Sequence, residues 1–255
     1  MSFARTPSGS VLTPLGLQHQ NSASMRFKKS LWQVAIGGAV VAIAGALRGR
    51  LHLQFIYSIP FFARDPVLRS HQNFLIASVV GWVIFSAYWE IAAKDSTVAQ
   101  SSESHVSRGF HVFLTNLALV VEIVPIHGLG RFLPDSYFIM GTGLAVEAMG
   151  LFLTIWARRH LGQNWSGRIS VMAEHELIRS GPYRRLRHPI YTGLLAMYVG
   201  VALVTGEWLA VVGVAIAVFA YWRKIRIEEA TLDTAFGADY ESYRRTTWAL
   251  VPGLY

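Results

Sequence analysis

The sequence predicts an all-α fold, a polytopic membrane helical bundle of about five to six spans with a cytoplasmic C-terminal region. The first observation is composition: 53% of the 255 residues are hydrophobic and only 15% are charged, against about 25% charged in soluble domains. The second is charge placement, since residues 31–47 carry no charge and residues 189–222 carry only Glu207. Such runs are typical of bilayer spans, because a helix needs roughly 20 apolar residues to cross the hydrocarbon.

The elements follow from the apolar runs, taken in order along the chain. Residues 1–24 are rich in Ser, Thr, Gln and Gly, which predicts a disordered N-terminal tail, with a natural start at Met25 as the alternative. Residues 25–150 are interpreted as the N-terminal membrane helices. The apolar segment Leu51–Ala63 is short and contains Pro60, so it could lie at the interface or complete a bent first span. The six candidate spans are Leu31–Leu47, Asn73–Ala93, Phe110–Ile126, Tyr137–Ala157, Ile190–Thr205 and Trp208–Trp222.

The last two spans are joined by Gly206 and Glu207 alone, which predicts a tight helical hairpin. Residues 151–255 therefore comprise the end of the fourth span, a polar loop, this hairpin and a C-terminal helix. The hairpin returns the chain to the end of the bundle where the fifth span begins. We expect the polar loop and the polar segment after Trp222 to meet at one membrane surface.

Basic residues set the expected orientation of the bundle. Because cytoplasmic loops carry an excess of Lys and Arg, we expect the loop between the fourth and fifth spans, both termini and the functional site to face the cytoplasm. The expected location is a multi-pass position in the inner membrane. The seven arginines of this loop are Arg158, Arg159, Arg168, Arg179, Arg184, Arg185 and Arg187. Arg48, Arg50, Arg64 and Arg69 oppose this orientation, so the number of N-terminal spans stays open.

Charge and cysteine content exclude several kinds of site. The net charge of +8 is interpreted as topology and lipid contact, because Lys and Arg flank apolar runs, and no nucleic-acid partner is expected. The chain has no Cys, which excludes disulfides and Cys nucleophiles, and no metal site is predicted. An acid inside a span is a functional hypothesis by default. For Glu90 the alternative is access to water, and for Glu122 and Glu147 it is protonation or a hydrogen bond to a neighbouring helix.

The polar loop before the fifth span has local features that suit a binding site. Ser180 can cap a helix that has Pro182 in its first turn, and Gly181 permits close approach of the backbone to a ligand. Arginines and His188 would then lie just outside the membrane, across from Glu228 after the sixth span. Arg and His suit an anionic group and Glu a cationic one, so a zwitterionic molecule with a ribose would fit. The alternatives are lipid-headgroup contact and a solvated acidic face.

These motifs resemble those of a known family. The four motifs are Gly181-Pro182-Tyr183, Arg187-His188-Pro189-Ile190-Tyr191 with Gly193, Glu228-Glu229, and the segment FGADYESY. Together they resemble the isoprenylcysteine carboxyl methyltransferases and the related phospholipid N-methyltransferases. The resemblance covers roughly residues 151–251, and residues 151–255 are therefore interpreted as a methyltransferase-like region. It implies S-adenosylmethionine as the cofactor and a lipophilic substrate that enters from the bilayer.

The resemblance also implies roles for individual residues. The implied cofactor-binding residues are His175, Leu177, Ile178, Tyr183, His188, Pro189, Ile190, Tyr191, Glu228 and Glu229. A basic residue before the Glu pair lies near the reacting substrate in the family, and Lys224 and Arg226 are both candidates for this catalytic position. Arg168 lies where some relatives have a Gln that contacts the cofactor.

The expected function is methyl transfer from S-adenosylmethionine to a lipophilic acceptor, with carboxyl O-methylation of an isoprenylcysteine-like substrate as the main hypothesis. Three alternatives stay open. The acceptor could be a phospholipid amine or a small thiol; the enzyme could be a sterol-reductase-like protein that binds NADPH; or the chain could be a non-enzymatic membrane protein that contacts lipid through its arginines.

Overall fold

The computed structural model describes residues 66–93, 103–123, 130–162 and 177–253. The predicted tail (1–24), the first candidate span (31–47) and the segment 51–63 lie outside the described residues. The described helices are α1 (Pro66–Ala93), α2 (His105–Ile123), α3 (Tyr137–Leu161), α4 (Pro189–Thr205), α5 (Trp208–Phe236) and α6 (Ala238–Thr246), with a 3-10 turn at Gly181–Arg184.

The predicted all-α membrane bundle is confirmed for the described part of the chain. Helices α1, α2, α3 and α5 are long and apolar enough to cross a bilayer. Helix α4 is apolar and has 17 residues, which gives a length of about 26 Å, close to the hydrocarbon thickness. The sixth span was predicted to end at Trp222, but α5 continues to Phe236, because charged residues end an apolar run without ending a helix. Residues 223–236 form a polar extension of α5 beyond the apolar part.

Side-chain contacts fix the relative directions of the helices. Arg158, near the end of α3, donates a hydrogen bond to the Ala92 carbonyl near the end of α1, so these two helices run parallel. Arg223 in the second half of α5 donates to the Ser107 hydroxyl at the start of α2, so these two run antiparallel. Because α4 runs antiparallel to both α3 and α5, the C-terminal ends of α1, α3 and α5 share one end of the bundle with the start of α2. We call this end the site end.

Helices α3 and α4 pack against each other through two pairs of glycines. A Cβ built on Gly193 would lie 2.5 Å from the Gly150 carbonyl, and one on Gly200 would lie 2.7 Å from the Gly143 carbonyl. The pairs repeat at seven-residue spacing in each helix, so the two backbones stay close over two turns of an antiparallel crossing. Close backbone approach of this kind is a common mode of helix association in bilayers. The crossing also brings the start of α4 to the site end.

The tight hairpin predicted between the last two spans is confirmed. Gly206 has a φ of +63° in the left-handed region and donates its N–H to the Ala202 carbonyl at 2.8 Å. This is a typical glycine end to a helix, because glycine adopts positive φ without steric cost. The Gly206 carbonyl accepts a hydrogen bond from the Phe132 N–H at 2.9 Å. The hairpin positions α5 beside α4 along their length.

The acids within the spans have different surroundings. Glu147 of α3 accepts a hydrogen bond from the Ser78 hydroxyl of α1 at 2.6 Å, which confirms the hydrogen-bond alternative for this residue. Glu122 of α2 is wholly buried against Gly213 of α5. Its carboxyl oxygens have no hydrogen-bond partner among the described residues. Glu90 is partly exposed near the end of α1.

Candidate functional site

The imidazole of His188 lies between the two acids of the polar extension of α5. Its Nε2 donates to Glu229 Oε1 at 3.2 Å, and its Nδ1 lies 3.7 Å from Glu228 Oε2. The ring stacks on Tyr191, with centroids 5.6 Å apart and planes within 11°. His188 is buried as the residue that precedes α4. The two polar segments therefore meet at the site end, as the hairpin predicted.

Glu228 is the more accessible of the two acids. The Tyr191 hydroxyl donates to Glu228 Oε2 at 2.9 Å. The side chain is 32% exposed, and its Oε1 has no hydrogen-bond partner among the described residues. A carboxylate oxygen beside two aromatic rings can therefore accept hydrogen bonds from a ligand. The described residues contain no group of three or more His, Asp or Glu side chains that could hold a metal ion.

Glu229 is instead held within the protein. Arg187 Nε donates to Glu229 Oε1 at 2.8 Å, and both side chains are about nine-tenths buried. Burial alone would raise the pKa of Glu229, but the hydrogen bonds from His188 and Arg187 outweigh it and lower the pKa to about 2. Glu229 therefore stays ionised at neutral pH and fixes the orientation of His188.

The C-terminal segment holds the polar loop in place. The Arg187 N–H donates to the Trp248 carbonyl at 2.8 Å, and the His188 N–H donates to the Ala249 carbonyl at 3.1 Å. The Tyr243 hydroxyl of α6 donates to the Tyr183 carbonyl at 2.6 Å. These bonds join residues about 60 positions apart. The position of His188 therefore depends on α6 and on the strand-like segment after it.

A helix begins after Ser180 with Pro182 in its first turn, as expected, but the structure corrects the expected cap. The helix is a single 3-10 turn, and the Ser180 side chain makes no capping hydrogen bond. The Ser180 hydroxyl instead lies 2.9 Å from His160 Nε2 of α3. Gly181 has a φ of +58°, and a Cβ there would lie 2.6 Å from the His160 ring. The close approach that Gly181 permits is therefore to this ring, which also stacks on Tyr183.

The other expected cofactor-binding residues differ in burial. Leu177 and Ile178 are half-buried in the loop before the 3-10 turn, whereas Pro189 and Ile190 are buried in the first turn of α4. Tyr183 is buried, and burial raises the pKa of its hydroxyl well above the usual range. The other two expected loop positions, His175 and Arg168, lie outside the described residues.

The two basic candidates occupy different faces of α5. Lys224 is buried one helical turn before Glu228, on the same face. Arg226 is exposed and lies about 200° around the helix from Glu228. Their spacings from Glu228, four residues for Lys224 and two for Arg226, would already have indicated from the sequence that only Lys224 shares a face with Glu228. Lys224 also forms an ion pair with Glu103, just before α2, which sequence analysis missed because 121 residues separate the two.

Comparison with known families and proteins gives consistent matches. The family model described as phospholipid methyltransferase matches residues 138–239. A protein-S-isoprenylcysteine O-methyltransferase of Dictyostelium discoideum is 23% identical over 145 residues, which cover 55% of this chain and 61% of that protein. A protein of Oryza sativa subsp. indica named "Probable protein-S-isoprenylcysteine O-methyltransferase" is 29% identical over 123 residues, which cover 47% of this chain and 64% of that protein. The chain therefore spans less than two thirds of the length of these relatives.

A solved structure and a bacterial protein are also similar to this chain. A solved structure of the eukaryotic intramembrane Ras methyltransferase, an isoprenylcysteine carboxyl methyltransferase, has 18% identity and a TM-score of 0.42, with 89% of this chain and 97% of that chain covered. The cobalt-zinc-cadmium resistance protein CzcN of Cupriavidus metallidurans is 31% identical over 164 residues, which cover 63% of this chain and 75% of that protein. The chain belongs to the membrane methyltransferase family that includes the isoprenylcysteine carboxyl methyltransferases and the phospholipid methyltransferases.

Proposed function

We propose that this chain transfers a methyl group from S-adenosylmethionine to the carboxylate of a lipophilic, isoprenylcysteine-like acceptor at the cytoplasmic face of the membrane. The observation that carries this proposal is the cluster of His188, Tyr191 and Glu228, which joins two polar segments about 40 residues apart. The curated relatives named as protein-S-isoprenylcysteine O-methyltransferases support the choice of acceptor.

The chemistry of the cluster fits the cofactor. The accessible carboxylate of Glu228 can accept hydrogen bonds from ribose hydroxyls or from an ammonium group. Tyr183 and Tyr191 offer aromatic surface for a purine, and the backbone around His188 is fixed by the C-terminal segment. Leu177, Ile178, Pro189 and Ile190 would add apolar contacts. Glu229 would act indirectly, because it already accepts bonds from Arg187 and His188.

When bound, S-adenosylmethionine supplies a methyl group on a sulfonium, and the electron pair of the broken C–S bond stays on the neutral thioether. A carboxylate acceptor is already ionised at neutral pH, so the chain has no proton to remove. The protein's contribution is to position and partly desolvate the acceptor. Lys224 is buried and lies one turn from Glu228, so its ammonium can orient the acceptor carboxylate. The exposed Arg226 is better placed for lipid headgroups.

A second acceptor class is a phospholipid amine, which the name of the matching family model favours. An ammonium acceptor must lose a proton before transfer. Its rate should therefore rise with pH toward the acceptor's pKa, whereas the rate with a carboxylate should stay flat above about pH 6.

The test is methyl transfer by purified protein in lipid nanodiscs that contain phosphatidylethanolamine, with labelled S-adenosylmethionine and N-acetyl-S-farnesylcysteine. We expect label in a product that mild alkali releases as methanol, as a carboxyl methyl ester does. Label that resists alkali and stays with the phospholipid would favour the amine acceptor. Binding of labelled donor without transfer to either acceptor would contradict both assignments.

A further inference from the structure

The ion pair of Lys224 and Glu103 is buried beside the proposed site. Lys224 Nζ lies 2.5 Å from Glu103 Oε2, and the two side chains are 10% and 1% exposed. Burying two charges costs desolvation energy that their attraction often only offsets, so such a pair is weak evidence of a stabilising role. Its position next to the site therefore calls for a functional explanation.

An aromatic wall connects this ion pair to Glu228. The rings of His188 and Tyr191 stack, Tyr191 lies 5.3 Å from Tyr221, and Tyr221 lies 5.3 Å from His111. Tyr221 and Lys224 share a face of α5 with Glu228, at spacings of three and four residues. One helical turn, about 5.4 Å along the axis of α5, therefore separates the backbone positions of Lys224 and Glu228. A small polar headgroup can span this distance.

We propose that Glu103 occupies on Lys224 the place that the acceptor's carboxylate takes during the reaction, so that the acceptor binds by exchange with Glu103. This inference rests on the proposed carboxyl methylation. Exchange of one carboxylate for another keeps Lys224 neutralised in its buried position. The methyl ester carries no charge and cannot replace Glu103. Glu103 then pairs with Lys224 again, and this releases the product. Because only a charged acceptor can displace Glu103, the exchange also selects acids over neutral lipids.

The surroundings give Glu103 a second place to lie once it is displaced. The Ser107 hydroxyl donates to Glu103 Oε1 at 3.0 Å, one turn along the chain. The Arg223 guanidinium donates to the same hydroxyl at 2.8 Å. The Ser107 hydroxyl therefore bridges the Glu103 carboxylate and the Arg223 guanidinium. A short shift toward Arg223 would keep the carboxylate paired when it leaves Lys224.

The test compares binding of N-acetyl-S-farnesylcysteine with binding of its methyl ester, which has the same hydrocarbon and no charge. Both are measured without methyl donor, by titration of protein in nanodiscs. Glu103→Gln should bind the acid about tenfold more tightly than the parent, with unchanged affinity for the ester, because the competing carboxylate is gone. Lys224→Gln should lose the preference for the acid. Glu241→Gln, an exposed acid on α6, is the matched control and should bind both as the parent does.

Weaker or unchanged acid binding by Glu103→Gln, or an equal change for acid and ester, would overturn the exchange. If the parent nevertheless methylates the acid, the proposed function stands without the inference. If the parent binds S-adenosylmethionine but neither binds nor methylates the acid, the acceptor class is wrong and the inference with it. Should Glu103→Gln lose donor binding through misfolding, Glu103→Asp replaces it. That shorter acid should tighten acid binding about threefold, and no tightening would overturn the exchange.

Discussion

At the scale of single residues, Arg187 connects three parts of the chain. Its guanidinium donates to Glu229 of α5 and to the carbonyls of Arg244 and Thr247 at the end of α6. The planar fork of an arginine can serve several acceptors at once, which a lysine ammonium on a flexible stem does poorly. Arg187 therefore fixes the polar loop, the extension of α5 and the C-terminal segment relative to one another.

Replacing Arg187 by Lys should lower the free energy of unfolding by about 2 kcal/mol, because Glu229 or the Thr247 carbonyl, both in part-buried hydrogen bonds, loses its donor. The measurement is denaturant-induced unfolding of the purified protein in detergent. Arg184→Lys is the matched control, since Arg184 is exposed in the same loop, and its unfolding should match the parent's. Equal stabilities of Arg187→Lys and Arg184→Lys would contradict the assigned role.

The pKa of Glu229 predicts a pH dependence of stability. Because hydrogen bonds lower this pKa from the usual 4.5 to about 2 in the folded protein, the ionised carboxylate stabilises the fold above pH 4.5. This contribution is lost as the pH falls from about 4.5 toward 2. Glu229→Gln should therefore be less stable than the parent at pH 7, with a difference that shrinks toward pH 3. A pH-independent difference in unfolding free energy would argue against this pKa.

Sequence analysis found the members of the cluster but not all of their contacts. His188, Tyr191 and Glu228 could be named because the hairpin and the resemblance both point to them. The partners of Arg187 and Lys224 could not, because each contact joins distant residues whose pairing depends on how the helices cross. A helical projection of α5 could still have separated Lys224 from Arg226, since only Lys224 shares a face with Glu228.

At the scale of elements, hydropathy predicted the spans but not how they pack. Apolar runs gave the ends of the described spans to within about five residues, apart from the start of α1 at Pro66 instead of Asn73 and the polar extension of α5 past Trp222. The glycine crossing of α3 and α4 has little hydropathy signal, because glycine is neither strongly apolar nor polar. The sequence indicates this crossing only through the seven-residue spacing between Gly143 and Gly150 and between Gly193 and Gly200. That spacing gains meaning only when the two helices are known to be antiparallel.

Gly193→Ala should destabilise the protein by about 3 kcal/mol, because the new Cβ would lie 2.3 Å from Thr154 Oγ1 and 2.5 Å from the Gly150 carbonyl. Thermal unfolding in detergent measures the effect. Gly109→Ala in α2 is the control. A Cβ there meets nothing within 4 Å, so alanine should be neutral or stabilising by about 0.5–1 kcal/mol. A Gly193→Ala protein as stable as Gly109→Ala would contradict the close crossing.

At the scale of the whole molecule, the helix directions place every element of the site at one end. Residues 177–188 before α4, the extension of α5 and the start of α2 all lie there, although they come from distant parts of the sequence. Residues 130–136, which precede α3, lie at the opposite end. Among the described residues, arginines concentrate at the site end, which favours a cytoplasmic site.

The absence of Cys from the sequence allows a direct measurement of this orientation. A single cysteine at the exposed position Arg185 reports which side of the membrane the site end faces, and one at the exposed position Pro134 reports the side of the opposite end. With a membrane-impermeant maleimide, Pro134→Cys should be labelled in intact cells and Arg185→Cys only in inverted membrane vesicles. The reverse pattern would put the site outside the cytoplasm.

The central claim is that two separate polar segments form one site for S-adenosylmethionine, and equilibrium binding of the labelled cofactor to purified protein tests it most directly. Glu228→Gln should weaken binding at least about tenfold and Tyr191→Phe a few-fold, because the first removes the open carboxylate and the second its orienting hydroxyl. Asp233→Asn, an exposed acid of the same helix, should bind as the parent does. Parent-like affinity in a folded Glu228→Gln protein would contradict the account.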